Sequence, residues 1–139
     1  MKRLFAIRRF NLLLTAVLAI MFVSTVTHAA EDSSPADIGY YALKPSFVSN
    51  LTGGPKYIRC DIQLMTKNAS AIPTIRLHNP ALRHGILMLI GGQDGNQIKT
   101  REGKEELRQA ALETVRTRLQ ELTGESIVDD LYFTAYYVK

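Results

Sequence analysis

Cysteine and tryptophan are nearly missing from this chain of 139 residues, which holds one Cys and no Trp. A lone Cys60 cannot close an intramolecular disulfide, so an exported form has to be held together by packing alone. No Cys directly follows the N-terminal apolar stretch, which excludes a lipoprotein anchor. Excess positive charge is also missing where it would count. The formal net charge of +4 invites nucleic acid, but Lys2, Arg3, Arg8 and Arg9 carry all of it. From Ala30 onward thirteen Lys plus Arg face thirteen Asp plus Glu. No basic stripe remains to bind phosphates, and no nucleic-acid partner is expected. A long hydrophobic run is lacking too. Phe10 to Val26 is a stretch of seventeen residues diluted by Asn11, Thr15, Ser24 and Thr25, whereas a spanning helix needs roughly 20 mainly apolar residues.

What is present at the N-terminus is a basic start, a short apolar run and small residues, the layout of a secretory signal peptide over residues 1–29. Thr27 and Ala29 fit the positions a signal peptidase inspects, which puts cleavage between Ala29 and Ala30. The rival is a retained signal anchor. Either way the basic end stays in the cytoplasm and the remainder crosses the inner membrane. Arg8-Arg9-Phe10 resembles a twin-arginine signal, but such a pair is common in any basic leader. Residues 30–39 include the Ser-, Pro- and acid-rich Glu31–Asp37 and read as a flexible linker. The remaining residues, 40–139, suffice for one domain with a modest core.

Within that domain, Tyr40 to Leu51 reads as a strand interrupted by Pro45, which cannot donate to a ladder and so marks an edge or a bulge. Thr52-Gly53-Gly54-Pro55 turns it into a second strand over residues 56–66, a β-hairpin. Ile58, Cys60, Ile62 and Leu64 alternate with polar residues, which puts Cys60 on the buried face as a small hydrophobe. Ile72, Ile75, Leu82, Ile86 and Leu89 fit one helix face that Asn79-Pro80 should start, kink or break. Ile86–Ile90 alone is ambiguous between helix and buried strand, and Gly91–Asn96 reads as a loop. The clearest helix runs from about Thr100 to Leu122, with a stripe of Leu107, Ala111, Val115, Leu119 and Leu122 closed by Gly124. Leu131–Val138 is apolar or aromatic in both alternating sets, which predicts a strand inside the sheet rather than on its edge. Together these give an α/β (α+β) domain: a small sheet from an N-terminal hairpin and a C-terminal strand, covered by two helices.

The search for chemistry yields no catalytic, cofactor-binding or metal-binding residue. His78 and His84, six apart, point roughly 240° away from each other on a helix and cannot form the pair a zinc site uses. Asp94-Gly95-Asn96 hints at a calcium loop, but the position needing glycine is Lys99. Asp129 and Asp130 are neighbours on a strand and point to opposite faces. Glu102, Glu105 and Glu106 with Lys104 and Arg108 read as a solvated helix start.

Five phrases in order, "YYALKPSFVSNL", "YIRCDIQL", "HNPALRHGILMLI", "TREGKEELRQAALETVRTRL" and "LYFTAYYV", resemble the periplasmic domain of the flagellar basal-body-associated FliL family. The resemblance covers residues 40–139. It implies a stomatin-like fold without enzymatic activity, which associates side by side into rings and braces the stator proteins of the flagellar motor, supporting rotation, swarming and chemotaxis. It singles out Pro80, Arg83, Gly103 and Phe133 as family-motif residues with structural or partner-contact roles. Two departures stand out: His84 follows Arg83 where the family often has an acidic residue, and the leader looks cleavable where members usually keep a transmembrane helix. Two other readings stay open. One is a small periplasmic adaptor unrelated to flagella, the other an envelope hydrolase using Asp61 or Asp129.

Overall fold

The computed structural model describes residues 37–139. The leader, the cleavage position at Ala29 and Ala30 and most of the linker lie outside the described residues. Three strands, β1 (Gly39–Asn50), β2 (Tyr57–Thr66) and β3 (Asp130–Val138), form an antiparallel sheet in the order β1-β2-β3. Between β2 and β3 come a 3-10 turn (Ala69–Ala71) and four helices, α1 (Ile72–Leu77), α2 (Asn79–Gly91), α3 (Gly95–Ile98) and α4 (Arg101–Thr123). The two long helices, α2 and α4, supply most of the helical side of the core, as the α+β reading expects.

The period-2 pattern of β2 decides which way the sheet faces. Ile58, Cys60, Ile62 and Leu64 are all buried, and they meet Leu43 and Phe47 of β1 and Leu131 of β3 in one core. From the helices come Ile75, Leu82, Ile86, Ile90, Leu107, Ala111, Val115 and Leu119. Pro80 sits in the first turn of α2, where its missing N–H costs nothing, so Asn79-Pro80 starts a helix rather than kinking one. Thr100 caps α4 by accepting the Gly103 N–H at 3.0 Å, and Gly124 ends it in the left-handed region at φ 80°.

Several expectations need correction. β3 is an edge strand, not an interior one. Its two apolar sets arise because pairing slips between Asp61↔Ala135 and Ile62↔Phe133, leaving Thr134 as an extra residue. The bulge exchanges the faces, so Leu131 and Phe133 pack inward before it and Tyr136 and Val138 after it. On β1 a matching irregularity sets Lys44, Pro45 and Ser46 opposite Asp61 alone, so both expectations for Pro45, edge and bulge, hold together. Leu122 is 46% exposed and falls off the α4 stripe, while Leu112 is buried. The stretch read as a loop contains the start of α3, whose cap Asp94 accepts the Asn96 N–H at 2.7 Å. Asp37 and Gly39 already belong to the fold, since the Ala69 N–H donates to the Asp37 carbonyl at 2.7 Å and Gly39 opens β1.

Candidate interaction surfaces

Arginines placed beside the apolar stripes tie the helices to the strands. On α2, Arg83 lies next to buried Leu82, and its guanidinium sits 4.2 Å from the Phe47 ring centroid. From there Nη1 donates to the carbonyls of Leu43 and Pro45, at 3.2 and 2.5 Å. Both carbonyls lie at the irregularity between Leu43 and Phe47, and Arg83 bonds them there. The residue that resemblance singled out is therefore a staple on the β1 edge. Its neighbour His84 is exposed.

On α4, Arg108 and Arg116 follow Leu107 and Val115 by one residue, with Leu112 between them on the same flank. Arg108 grips Glu105 through Nε and Nη2, at distances down to 2.7 Å, and Asp130 Oδ1 through Nη1 at 2.6 Å. The same Nη1 donates to the Leu131 carbonyl at 3.1 Å. Arg116 donates to the carbonyls of Val128 and Asp129 at 2.9 and 2.6 Å. Sequence reading placed Arg108 in a solvated helix start, yet its position one residue past a stripe residue, which Arg116 shares, puts it on the flank that meets β3 and the segment before it. Hydrogen bonding to Arg108 holds the Glu105 carboxyl below its ordinary range. Burial pushes Asp130 up, but hydrogen bonds from the Leu131 N–H, Tyr132 and Arg108, with the charge of Arg108, outweigh it and hold that carboxyl low.

Asp129 turns elsewhere and accepts the Lys67 N–H at 2.7 Å, so the adjacent carboxylates diverge. Asp61 lies by a groove of about 290 Å³ whose other polar side chains are Lys44, Ser46 and Thr134. Among the described residues no cluster of three or more His, Cys, Asp or Glu could hold a metal ion. Burial, with the charge of Asp61 adding, pushes the Cys60 thiol up to about 12, which leaves it protonated and unreactive.

Of the remaining motif residues, Gly103 is fixed by close approach: a Cβ there would overlap the Gln97 carbonyl oxygen. Phe133 packs edge-on against Tyr136, with ring centroids 5.0 Å apart. Tyr136 donates its hydroxyl to the Ile98 carbonyl at 2.7 Å, and burial pushes its pKa to about 12. Pro80, Arg83, Gly103 and Phe133 do not converge on one site. Each fixes a different joint of the fold.

Among the described residues, large apolar side chains are exposed on both sides of the domain. Tyr40, Val48, Tyr57, Tyr132 and Tyr137 are exposed on the sheet face away from the helices, Tyr137 at 65%. Leu77 at 74% and Met88 at 64% are exposed on the helical side. A third feature is a groove of about 480 Å³ between α4 and β3, lined by Arg101, Lys104, Glu105, Arg108, Tyr132 and Phe133. Among the described residues no helix is long and apolar enough to cross a membrane.

A three-stranded antiparallel sheet backed on one face by helices, with polar grooves and exposed tyrosines, defines a small α+β domain whose notable features are surfaces. Comparison with known proteins gives the class its family. The family described as "Flagellar basal body-associated protein FliL" matches residues 40–138, and the chain belongs to it. The chain is also similar to the "Flagellar protein FliL" of Aquifex aeolicus (strain VF5). The two are 29% identical over 109 residues, covering 76% of this chain and 65% of that protein. The chain thus matches slightly less than two thirds of that relative's length.

Proposed function

We propose that this protein works without catalysis at the flagellar basal body, where its domain stands on the periplasmic face of the inner membrane and braces the stator units of the motor. In this role it supports rotation, swarming and chemotactic motility. The observation that carries the reading is the family match over nearly all of the described domain. The surface agrees with it. A ring of like subunits needs two different, complementary patches on each protomer, and this domain offers the tyrosine-rich sheet face on one side and Leu77 with Met88 on the other. A stomatin-like mode of side-by-side assembly is part of the same proposal.

Export through the leader, with cleavage after Ala29, puts the domain in the periplasm; retention of the leader tethers it to the inner membrane. The mass of the native N-terminal peptide separates the two, with Ala30 expected at the terminus and an intact Met1 in the membrane fraction overturning cleavage. The function itself is tested by deleting the gene in its host and scoring motility. Swarming is expected to fail or slow, with recovery on re-expression. Wild-type swimming and swarming in the deletion strain would refute the flagellar reading.

A further inference from the structure

The two edges of the sheet are finished differently. On β1, Pro45 has no N–H to offer, the Lys44–Ser46 irregularity breaks the ladder, and Arg83 occupies two of the carbonyls. These are the devices that keep an edge from pairing with another chain. On β3, among the described residues, side chains cover only the start, by the bond from Arg108 to the Leu131 carbonyl and from the Leu131 N–H to Asp130. Tyr57 and Lys139 exchange both backbone bonds, at 2.9 and 3.0 Å. Such pairs alternate along an antiparallel ladder with pairs whose N–H and C=O point away from the partner strand. Counting back from Lys139, Tyr137 and Ala135 face β2, while Tyr136 and Val138 turn their backbone groups to the open edge. Beyond the bulge, Phe133 shares the outward sense of Leu131.

Beside this edge runs the groove between α4 and β3. Arg108 is taken up there by Glu105 and Asp130, but Arg101 and Lys104 form no ion pair among the described residues. Lys104 stands over the Tyr136 ring, 4.9 Å from its centroid, next to the backbone that is open. We infer that the β3 edge from Phe133 to Val138 is a strand-addition site for an extended, acidic segment of another protein. The segment's backbone pairs with the open edge and its carboxylates meet Arg101 and Lys104. Strand addition takes affinity from main-chain bonds and specificity from the flanking side chains, and two cations along the edge that form no ion pair among the described residues select for acid. The same cations disfavour a second copy of this chain as occupant. Antiparallel β3–β3 pairing would bring the Arg101 and Lys104 of both copies toward one seam, where like charges repel. The inference goes beyond the stator-bracing role and does not depend on which component supplies the segment.

The test is amide hydrogen exchange of the full chain with two synthetic probes. One is a nine-residue peptide alternating Val and Thr with Glu at two of the Thr positions; the other is its twin with Lys in place of Glu. The Glu peptide is expected to slow exchange of the Tyr136 and Val138 amides at least tenfold and the Lys twin to leave them unchanged. The Arg101→Glu, Lys104→Glu double variant, its fold confirmed by unchanged exchange in β2, is expected to reverse that preference. Failure of the Glu peptide to protect these amides, or equal protection by both peptides, would overturn the inference. Protection that appears without peptide and rises with protein concentration would overturn it in favour of a second copy.

Discussion

At the scale of single residues, the domain depends on a few side chains that join helix to strand. Arg108 replaces water around Glu105, Asp130 and the Leu131 carbonyl at once. Truncating it to Ala strips the Asp130 carboxylate of its counter-charge and leaves the Leu131 carbonyl without its partner, so a loss of about 1–3 kcal/mol is expected in denaturant unfolding. Asp130 adds a pH signature. Its folded pKa lies below the unfolded value of about 3.9, so its contribution is present above that value and is lost as pH falls through the folded pKa. The stability gap between the parent and Asp130→Asn is therefore expected to be full at neutral pH and to close below about pH 4, read by unfolding across an acid series. Gly103→Ala is expected to cost more than Ala's helix propensity returns, because the Cβ meets backbone that cannot give way. Cys60, with its thiol pushed to about 12 and fully buried, should resist iodoacetamide in the native protein and react only once denaturant unfolds it.

At the scale of elements, legibility followed the range of the signal. The hairpin, the capped α4 and the inward face of β2 each rest on neighbours within one or two turns, and Pro45, Thr100 and Gly124 mark them in place. The β3 edge did not show, because its two apolar sets look like an interior strand until Thr134 is known to bulge, and that slip depends on pairing with Asp61 and Ile62. The phase of α4 drifted for a similar reason. Leu122 fits a spacing of three from Leu119, yet it is 46% exposed where Leu119 is fully buried. Leu119→Ala is accordingly expected to cost about 2–5 kcal/mol, as a fully buried leucine does, and Leu122→Ala less than about 1 kcal/mol, measured by the same unfolding assay. The four family-motif residues could be named from the chain. Their separate duties could not, since Arg83 reaches strand carbonyls 38 and 40 positions away.

At the scale of the whole molecule, balanced charge over residues 30–139, one inert thiol and unlike apolar exposures on two sides suit a domain that acts through contact. The chain belongs to the flagellar basal body-associated FliL family, and the bracing of stator units is the central proposal built on that membership. If patches on opposite sides seat neighbouring copies, Tyr137→Glu and Met88→Glu should each weaken self-association, and two proteins that carry one change each should still form a single seam when mixed. Sedimentation of the separate and mixed variants would show it. The most direct measurement of the claim is the torque of single flagellar motors under high load, taken from tethered beads in the host with and without this gene. The account predicts lower torque in the deletion strain, restored by re-expression; torque indistinguishable from wild type at every load would contradict it.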